Sequence, residues 1–329
     1  MNAFITGLII AAITAGALGL LFLIASFIIG TKVFTSTFLR PKTNKETAPS
    51  YINLKSGTSR DICRRVIRAR AWLRTLPKEE VTLCSRDNIN LTARLYLNPA
   101  YEGKTAVLVH GYKSCGEYDF SCGCPYYWNR GFNILIIDER GNRTSGGKYI
   151  TFGVREREDV CDWCKYIANR YGDGHEIVLD GMSMGCTACL LAAAMPDFPK
   201  QVRAVVADCG FTSPYDEFRH ALPNVLHLPF FPSYHVANLI CRIRGRFSAR
   251  DVNTLDAVKN IRVPVLFVHG DADRYVLPEN TFKNYEACTA PKDLLIVHGA
   301  SHGMSFVIDE KSYTESLDKL LNTALSQSA

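Results

Sequence analysis

Six short apolar runs limit what this chain can fold into. Residues 105–109, 132–137, 177–179, 202–206, 263–268 and 294–297 are nearly unbroken stretches of Val, Ile, Leu, Ala and Phe. A strand with one wet face alternates apolar with polar residues, so runs apolar on both faces suit strands covered on both sides, as in a parallel sheet. Between them lie stretches of helical period, as in 154–171, where Val160, Trp163, Cys164, Ile167 and Ala168 fall on one face. Strand and helix in repeated alternation predict an α/β chain with a mostly parallel, doubly wound sheet. A hairpin, 81–85 and 89–96 turning through Asp87-Asn88, precedes the parallel part. In such sheets, chemistry gathers in the loops beyond the carboxyl ends of the strands.

Those loops carry polar residues in a definite order. His110-Gly111-Tyr112 follows the first parallel run and Asp138-Glu139-Arg140-Gly141 the second. Gly181-Met182-Ser183-Met184-Gly185 follows the third and Asp208 the fourth. His269-Gly270-Asp271-Ala272-Asp273 follows the fifth, and Ser301-His302-Gly303 the last. Glycines two positions either side of Ser183 fit a tight strand-to-helix turn, where side chains would collide with the neighbouring strand and helix. Such a turn lifts the serine hydroxyl above the sheet and points the N–H of Met184, at the helix start, toward a developing oxyanion. A serine hydroxyl is a weak nucleophile at neutral pH and needs a base, which His302 can supply; His302 in turn needs a carboxylate for its other ring N–H. Asp273, Asp271 and Asp208 all end strands from which they could serve.

Taken together, the motifs His-Gly, Asp-x-Arg-Gly, Gly-x-Ser-x-Gly, His-Gly-x-x-Asp and Gly-x-x-His-Gly resemble those of α/β-hydrolases over residues from about 80 onward. More narrowly, the chain resembles bacterial membrane-tethered hydrolases of the serine aminopeptidase-like branch. The resemblance implies an α/β-hydrolase fold and a Ser183, Asp273, His302 triad, with Asp273 preferred over Asp271 and Asp208. It also implies a second oxyanion donor in the N–H of Tyr112, and neither cofactor nor metal.

Several residues have a plainer reading. His110 and His269 precede glycines at strand ends and are expected to order loops, and Arg140 to anchor one by an ion pair. His298 ends its strand without the trailing loop that would carry it across to Ser183, so His302 is the expected base. Gly141, Gly146 and Gly147 lack the Lys-Ser/Thr ending of a phosphate loop. Cys161-x-x-Cys164 has redox spacing but falls mid-helix, and with Cys186 and Cys189 reads as buried apolar filling. Cys115, Cys122 and Cys124 cluster without a fourth ligand at metal-site spacing.

The amino-terminal stretch has another character. No charged residue occurs from Ala3 to Gly30, and the run 4–29 exceeds the 20 or so residues that cross a bilayer as a helix. It reads as a single transmembrane anchor, 1–30; a cleaved signal peptide would want a basic start and a shorter apolar core. Lys32, Arg40, Lys42 and Lys45 follow it, and the positive-inside rule then predicts a cytoplasmic domain, an extracytoplasmic one being the alternative. The net charge of +6 resides mainly between Lys32 and Arg74, which suits a juxtamembrane segment and not a nucleic-acid surface. Residues 31–76 are expected to be a tether to about 60, then an amphipathic helix over 61–76 packed on the domain. Residues 77–329 form the hydrolase domain, with an insertion at about 211–260 rich in Pro, Leu and Phe that reads as a helical cap.

The resulting expectation is a membrane-tethered serine hydrolase that cleaves a small-molecule carboxylic ester, thioester or amide through an acyl-enzyme on Ser183. Alternatives are an aminopeptidase-like serine peptidase, for which Asp216-Glu217 is the acidic pair able to hold an ammonium, and a hydrolase-fold binding protein without turnover. Ser in place of Asp at the turn disfavours haloalkane and epoxide chemistry. Nothing in the sequence bears on oligomeric state.

Overall fold

The computed structural model describes residues 2–41 and 57–325. It divides into two compact units. One contains Arg40–Glu217 and Ala249–Ala329; the other combines the residues up to Leu39 with Phe218–Ser248.

The larger unit is built on an eight-stranded sheet. Its strands are β1 (Lys78–Cys84), β2 (Asn90–Tyr96), β3 (Lys104–Val109), β4 (Phe132–Asp138), β5 (Glu176–Met182), β6 (Val202–Asp208), β7 (Val265–Gly270) and β8 (Lys292–Val297). They are ordered β1-β2-β4-β3-β5-β6-β7-β8. The β1–β2 hairpin and the β2–β4 pair are antiparallel and every other pair is parallel. In the hairpin turn Asn88 has φ 60°, a left-handed conformation that Asn tolerates, and its N–H donates to Ser85 O at 3.0 Å. The chain leaves β3 for β4 on one side and returns to β5 on the other, so the loops after β3 and β5 part at a topological switch point.

The helices of nine residues or more, in chain order, are α1 (Asn2–Thr37), α2 (Gly57–Thr75), α3 (Glu156–Tyr171), α4 (Met184–Ala193), α5 (Pro214–Asn224), α6 (Phe230–Ile240), α7 (Glu279–Ala287) and α8 (Glu310–Leu325). Both faces of the sheet are covered, which is why the central strands β3 to β7 are mostly apolar and buried. On one face Val107, Leu135, Leu179 and Val205 share a core with Val160, Trp163 and Ile167 of α3 and Ala188 and Leu190 of α4. On the other, Ala106, Ile134, Val178 and Val206 pack with Tyr127 and with Leu317 and Leu320 of α8. Helix α2 belongs to this unit: Leu73 is buried in the second core, Trp72 meets Trp128 edge-on at 6.1 Å, and the Arg70 guanidinium lies 3.6 Å over the Tyr118 ring.

In the smaller unit, α1 runs to Thr37, seven residues beyond the Gly30 at which the sequence reading ends it. Ser26, Gly30, Val33, Phe34, Thr37 and Phe38 are buried at helical spacing, and this seam lies along α6. A side chain at Gly30 would run into Val236, so glycine allows the two helices to approach closely there. Phe38 closes the seam, its ring 5.2 Å from Phe218 and 5.8 Å from Phe247. The segment expected to be a tether from residue 31 therefore begins as helix; its remainder, 42–56, lies outside the described residues. The insertion between β6 and β7 is helical, and the part that separates from the sheet unit is Phe218–Ser248, shorter than 211–260.

Candidate active site

Ser183 occupies the turn between β5 and α4 with φ 57° and ψ −117°, a strained conformation for a residue with a side chain. Its flanking glycines have a direct steric cause. A Cβ at Gly181 would lie 2.6 Å from Gly185 O and from Cys189 Sγ; one at Gly185 would run into Val109 O and sit 2.6 Å from His110 O. The turn is fastened by the Ser183 N–H donating to Asp208 O at 2.8 Å and by the Thr187 N–H returning to Ser183 O at 3.1 Å.

Three loops bring polar side chains to this turn. His302, in the loop after β8, places Nε2 2.9 Å from Ser183 Oγ and Nδ1 2.6 Å from Asp273 Oδ2. A carboxylate can only accept, so Nδ1 carries the proton and Nε2 is left to accept from the serine hydroxyl. Asp273 is buried, which by itself would raise its pKa. Hydrogen bonds from His269 and His302 outweigh that and hold the carboxyl well below the usual range. Its Oδ1 accepts the Tyr275 and Val276 N–H groups at 2.8 and 3.1 Å.

The side chains of the other acids and histidines engage partners other than Ser183. Asp271 pairs with His298 at 2.7 Å on the surface and accepts the Gly299 N–H at 2.7 Å, so these two engage each other and not Ser183. Asp208 is buried and accepts the Tyr313 hydroxyl at 3.2 Å; burial pushes its carboxyl up to about 6. His110 orders loops, accepting the Glu139 N–H at Nε2 at 3.1 Å. His269 orders one too, with Nδ1 2.7 Å from Thr281 Oγ1 of α7. Arg140 is gripped by Asp159 at 2.6 Å and by Asp87 at 2.9 Å, tying the hairpin turn to α3.

The loop after β3 lies against the serine. A Cβ at Gly111 would come within 3.4 Å of Ser183 Cβ, and the Gly111 N–H is taken by Asp119 Oδ2 at 2.8 Å. Tyr112, next in the chain, stacks on Phe152 at 4.9 Å, and Tyr275 leans over His302 at 5.2 Å between ring centres. Glu217, in the first turn of α5, is buried, and burial with the nearby Asp273 charge pushes its carboxyl up to about 8. Sequence reasoning paired it with Asp216, but Asp216 is held by Thr212 Oγ1 and Ser213 Oγ at 3.0 and 2.7 Å as part of the helix start. Only the burial of Glu217, invisible in sequence, separates the two.

Cys209, Asp273 and His302 offer ligand atoms within 4.8 Å of one another. A cation there would have to replace the Nδ1 proton of the 2.6 Å His302–Asp273 bond and ionise a thiol that burial drives well above its ordinary pKa, so the donor set fits the hydrogen-bonded pair better than a metal. Cys115, Cys122, Cys124, Cys161 and Cys164, singled out by their spacing in the sequence, are not activated thiolates. Burial pushes Cys115 up to about 12 and Cys161 up to about 11, and raises Cys122, Cys124 and Cys164 as well.

A mostly parallel sheet with an insertion after β6, and a serine on a strained strand-to-helix turn facing a histidine from the last loop, define an α/β-hydrolase fold carrying the side-chain arrangement of a serine hydrolase. Comparison with known proteins narrows this. The prolyl oligopeptidase family model matches residues 118–327, and the chain belongs to that family. Among curated proteins, the uncharacterized protein YqkD of Bacillus subtilis (strain 168) is 30% identical over 197 residues, 58% of this chain and 63% of that protein. The match thus spans less than two thirds of that relative's length. Among solved structures, the esterase Pf2001 of Pyrococcus furiosus superposes with TM-score 0.62 at 22% identity, covering 76% of this chain and 93% of that one. Est1E from Butyrivibrio proteoclasticus with ferulic acid bound gives TM-score 0.57 at 20% identity over 75% and 99%. GrgF from Penicillium sp. sh18 gives 0.59 at 19% over 76% and 100%. At these identities the likeness is one of fold.

Proposed function

We propose that the protein is a membrane-anchored hydrolase of carboxylic esters that works through an acyl-enzyme on Ser183. The observation that carries this is the pair of distances at His302, 2.9 Å to Ser183 Oγ and 2.6 Å to Asp273 Oδ2. In the proposed cycle, His302 Nε2 takes the hydroxyl proton as Oγ bonds to the carbonyl carbon. The negative oxygen so formed is held by the N–H groups of Met184 and Tyr112, each worth roughly 3 to 4 kcal/mol in comparable sites. His302 then passes its proton to the leaving alcohol, and the ester bond breaks. Water, deprotonated by the same nitrogen, attacks the acyl-enzyme and releases the acid and free Ser183. Asp273, ionised throughout, holds the ring in its tautomer and stabilises the imidazolium. The cycle draws on no group beyond these side chains and backbone donors.

Helix α1 supplies the anchor. It has no charged residue from Phe4 to Thr31, and its most apolar window is wholly exposed, as a lipid-facing span would be. The basic residues that follow support a cytoplasmic orientation of the hydrolase unit by the positive-inside rule; protease digestion of intact against lysed cells separates this from the extracytoplasmic alternative.

Cleavage beside a free amino terminus is a second reading with one observation in its favour. Glu217 is a buried carboxyl close enough to Asp273 to feel its charge and close enough to Tyr275 for its own charge to bear on the phenol, and an ammonium would ionise it. The description of the family as prolyl oligopeptidases adds a reason to test it. A panel of p-nitrophenyl acyl esters against aminoacyl p-nitroanilides separates the readings. The ester reading predicts kcat/KM at least 100-fold higher on the best ester; preference for the anilides, abolished in Glu217→Gln, would replace it.

A further inference from the structure

We propose that the insertion Phe218–Ser248 is a membrane-interface element that docks on the anionic headgroup layer of the bilayer spanned by α1. It rests on the reading of α1 as a bilayer span.

Charge is the first observation. Phe218–Ser248 contains no Asp or Glu, yet it carries Arg219, Arg242, Arg244 and Arg246. Arg242, Arg244 and Arg246 are exposed, and no carboxylate among the described residues pairs with them. A one-sign cluster without internal partners is built for an external anion.

Apolar exposure is the second. Phe231 is 64% exposed, Leu239 53% and Ile243 70%, at positions where a soluble helix would carry charge. Leu239 and His235, four apart, lie on the face of α6 opposite buried Ser233, Tyr234 and Ala237; Phe231 sits at the non-helical start of α6 and Ile243 in the π-helical turn Cys241–Gly245 that follows it. Bulky apolar side chains interleaved with arginine are the composition of helices that lie in the headgroup region, apolar groups dipping and guanidinium groups meeting phosphate.

Depth is the third. Val236 of α6 abuts Gly30, two residues before Lys32, the first charge after the apolar run. At 1.5 Å per residue the run from Phe4 to Thr31 is about 42 Å long, the thickness of the hydrocarbon core plus both headgroup layers. The seam that buries Ser26, Gly30 and Val33 against α6 is therefore at headgroup depth, and α6 with it.

The full chain reconstituted in vesicles tests this through added tryptophans, read after subtraction of the wild-type signal. Leu18→Trp, inside the span, is expected to be quenched by lipids brominated deep in the acyl chain. Leu239→Trp is expected to lose about half its emission to lipids brominated near the headgroup. That loss should be larger with phosphatidylglycerol present than in phosphatidylcholine alone. Adding Arg242→Gln, Arg244→Gln and Arg246→Gln should remove the phosphatidylglycerol dependence. If Leu239→Trp fails to fold, Ile243→Trp reads the same face. Emission unquenched by bromolipid while Leu18→Trp is quenched overturns the docking alone, whether the residue proves open to acrylamide or shielded from it by protein. Absence of quenching at both positions overturns the span itself.

Discussion

His269 Nε2 lies 3.2 Å from Asp273 Oδ2, the same oxygen that stands 2.6 Å from His302 Nδ1. Because its other nitrogen faces Thr281 Oγ1, and Nε2 also faces Val276 O at 3.0 Å, the proton of His269 sits on Nε2 and points at the carboxylate. One carboxylate oxygen is thus steered by two imidazoles, only one of which reaches Ser183. His269 is a positioning residue. Its replacement in His269→Gln should lower kcat about tenfold, the worth of one hydrogen bond to a charged group, with KM little changed. A merely structural role would instead move the melting temperature and leave the pH profile alone. The acid limb of kcat/KM should shift upward in the variant.

Asp271 and His298 are spent on each other, so Asp271→Asn and His298→Ala should leave ester turnover within about twofold of wild type. His302→Ala should lose about 1,000-fold or more, as expected when the base is removed from a unit of interdependent groups. Parallel initial-rate measurements on the three variants decide between the pairs.

Glu217 gives a pH-dependent stability. Its folded pKa, pushed up to about 8, exceeds the unfolded value near 4.5, so the folded state holds the proton more tightly. The associated stability is full below the unfolded pKa and is lost as pH rises through the folded one. Glu217→Gln, which cannot ionise, should therefore match wild type in melting temperature near pH 4 and exceed it by a growing margin up to pH 9. Differential scanning calorimetry across that range checks the trend; a constant margin would place the residue in contact with water.

Much of this was legible in the sequence because its causes are local. Apolar runs record sheet strands covered on both faces, and Gly181 and Gly185 record collisions with residues four positions away in the turn or on the adjoining β3 loop. Ser26 and Gly30, small residues four apart within a bulky apolar run, were the available sign that α1 packs on another helix. Without the fold, nothing says that the other helix is α6, over 200 residues later. The burial of Glu217 was equally hidden, since adjacent Asp216 and Glu217 differ only in which loop they face.

The turn itself can be probed by adding one methyl group. Gly185→Ala should destabilise the chain by roughly 3 kcal/mol or more, because its Cβ meets backbone oxygens of Val109 and His110 that cannot move away cheaply. Gly103→Ala provides the contrast: nothing lies within 4 Å of its added Cβ, so only the cost of φ 75° remains. Urea melts of both variants compare the two costs.

The most direct test of the central claim is the mass of the protein after a fluorophosphonate or a slowly deacylating p-nitrophenyl ester is added. One adduct per chain is predicted, located on the peptide containing Ser183 and absent from Ser183→Ala and His302→Ala variants that keep their melting profile. Turnover of the ester with no adduct at Ser183, or an adduct that persists in Ser183→Ala, would contradict it.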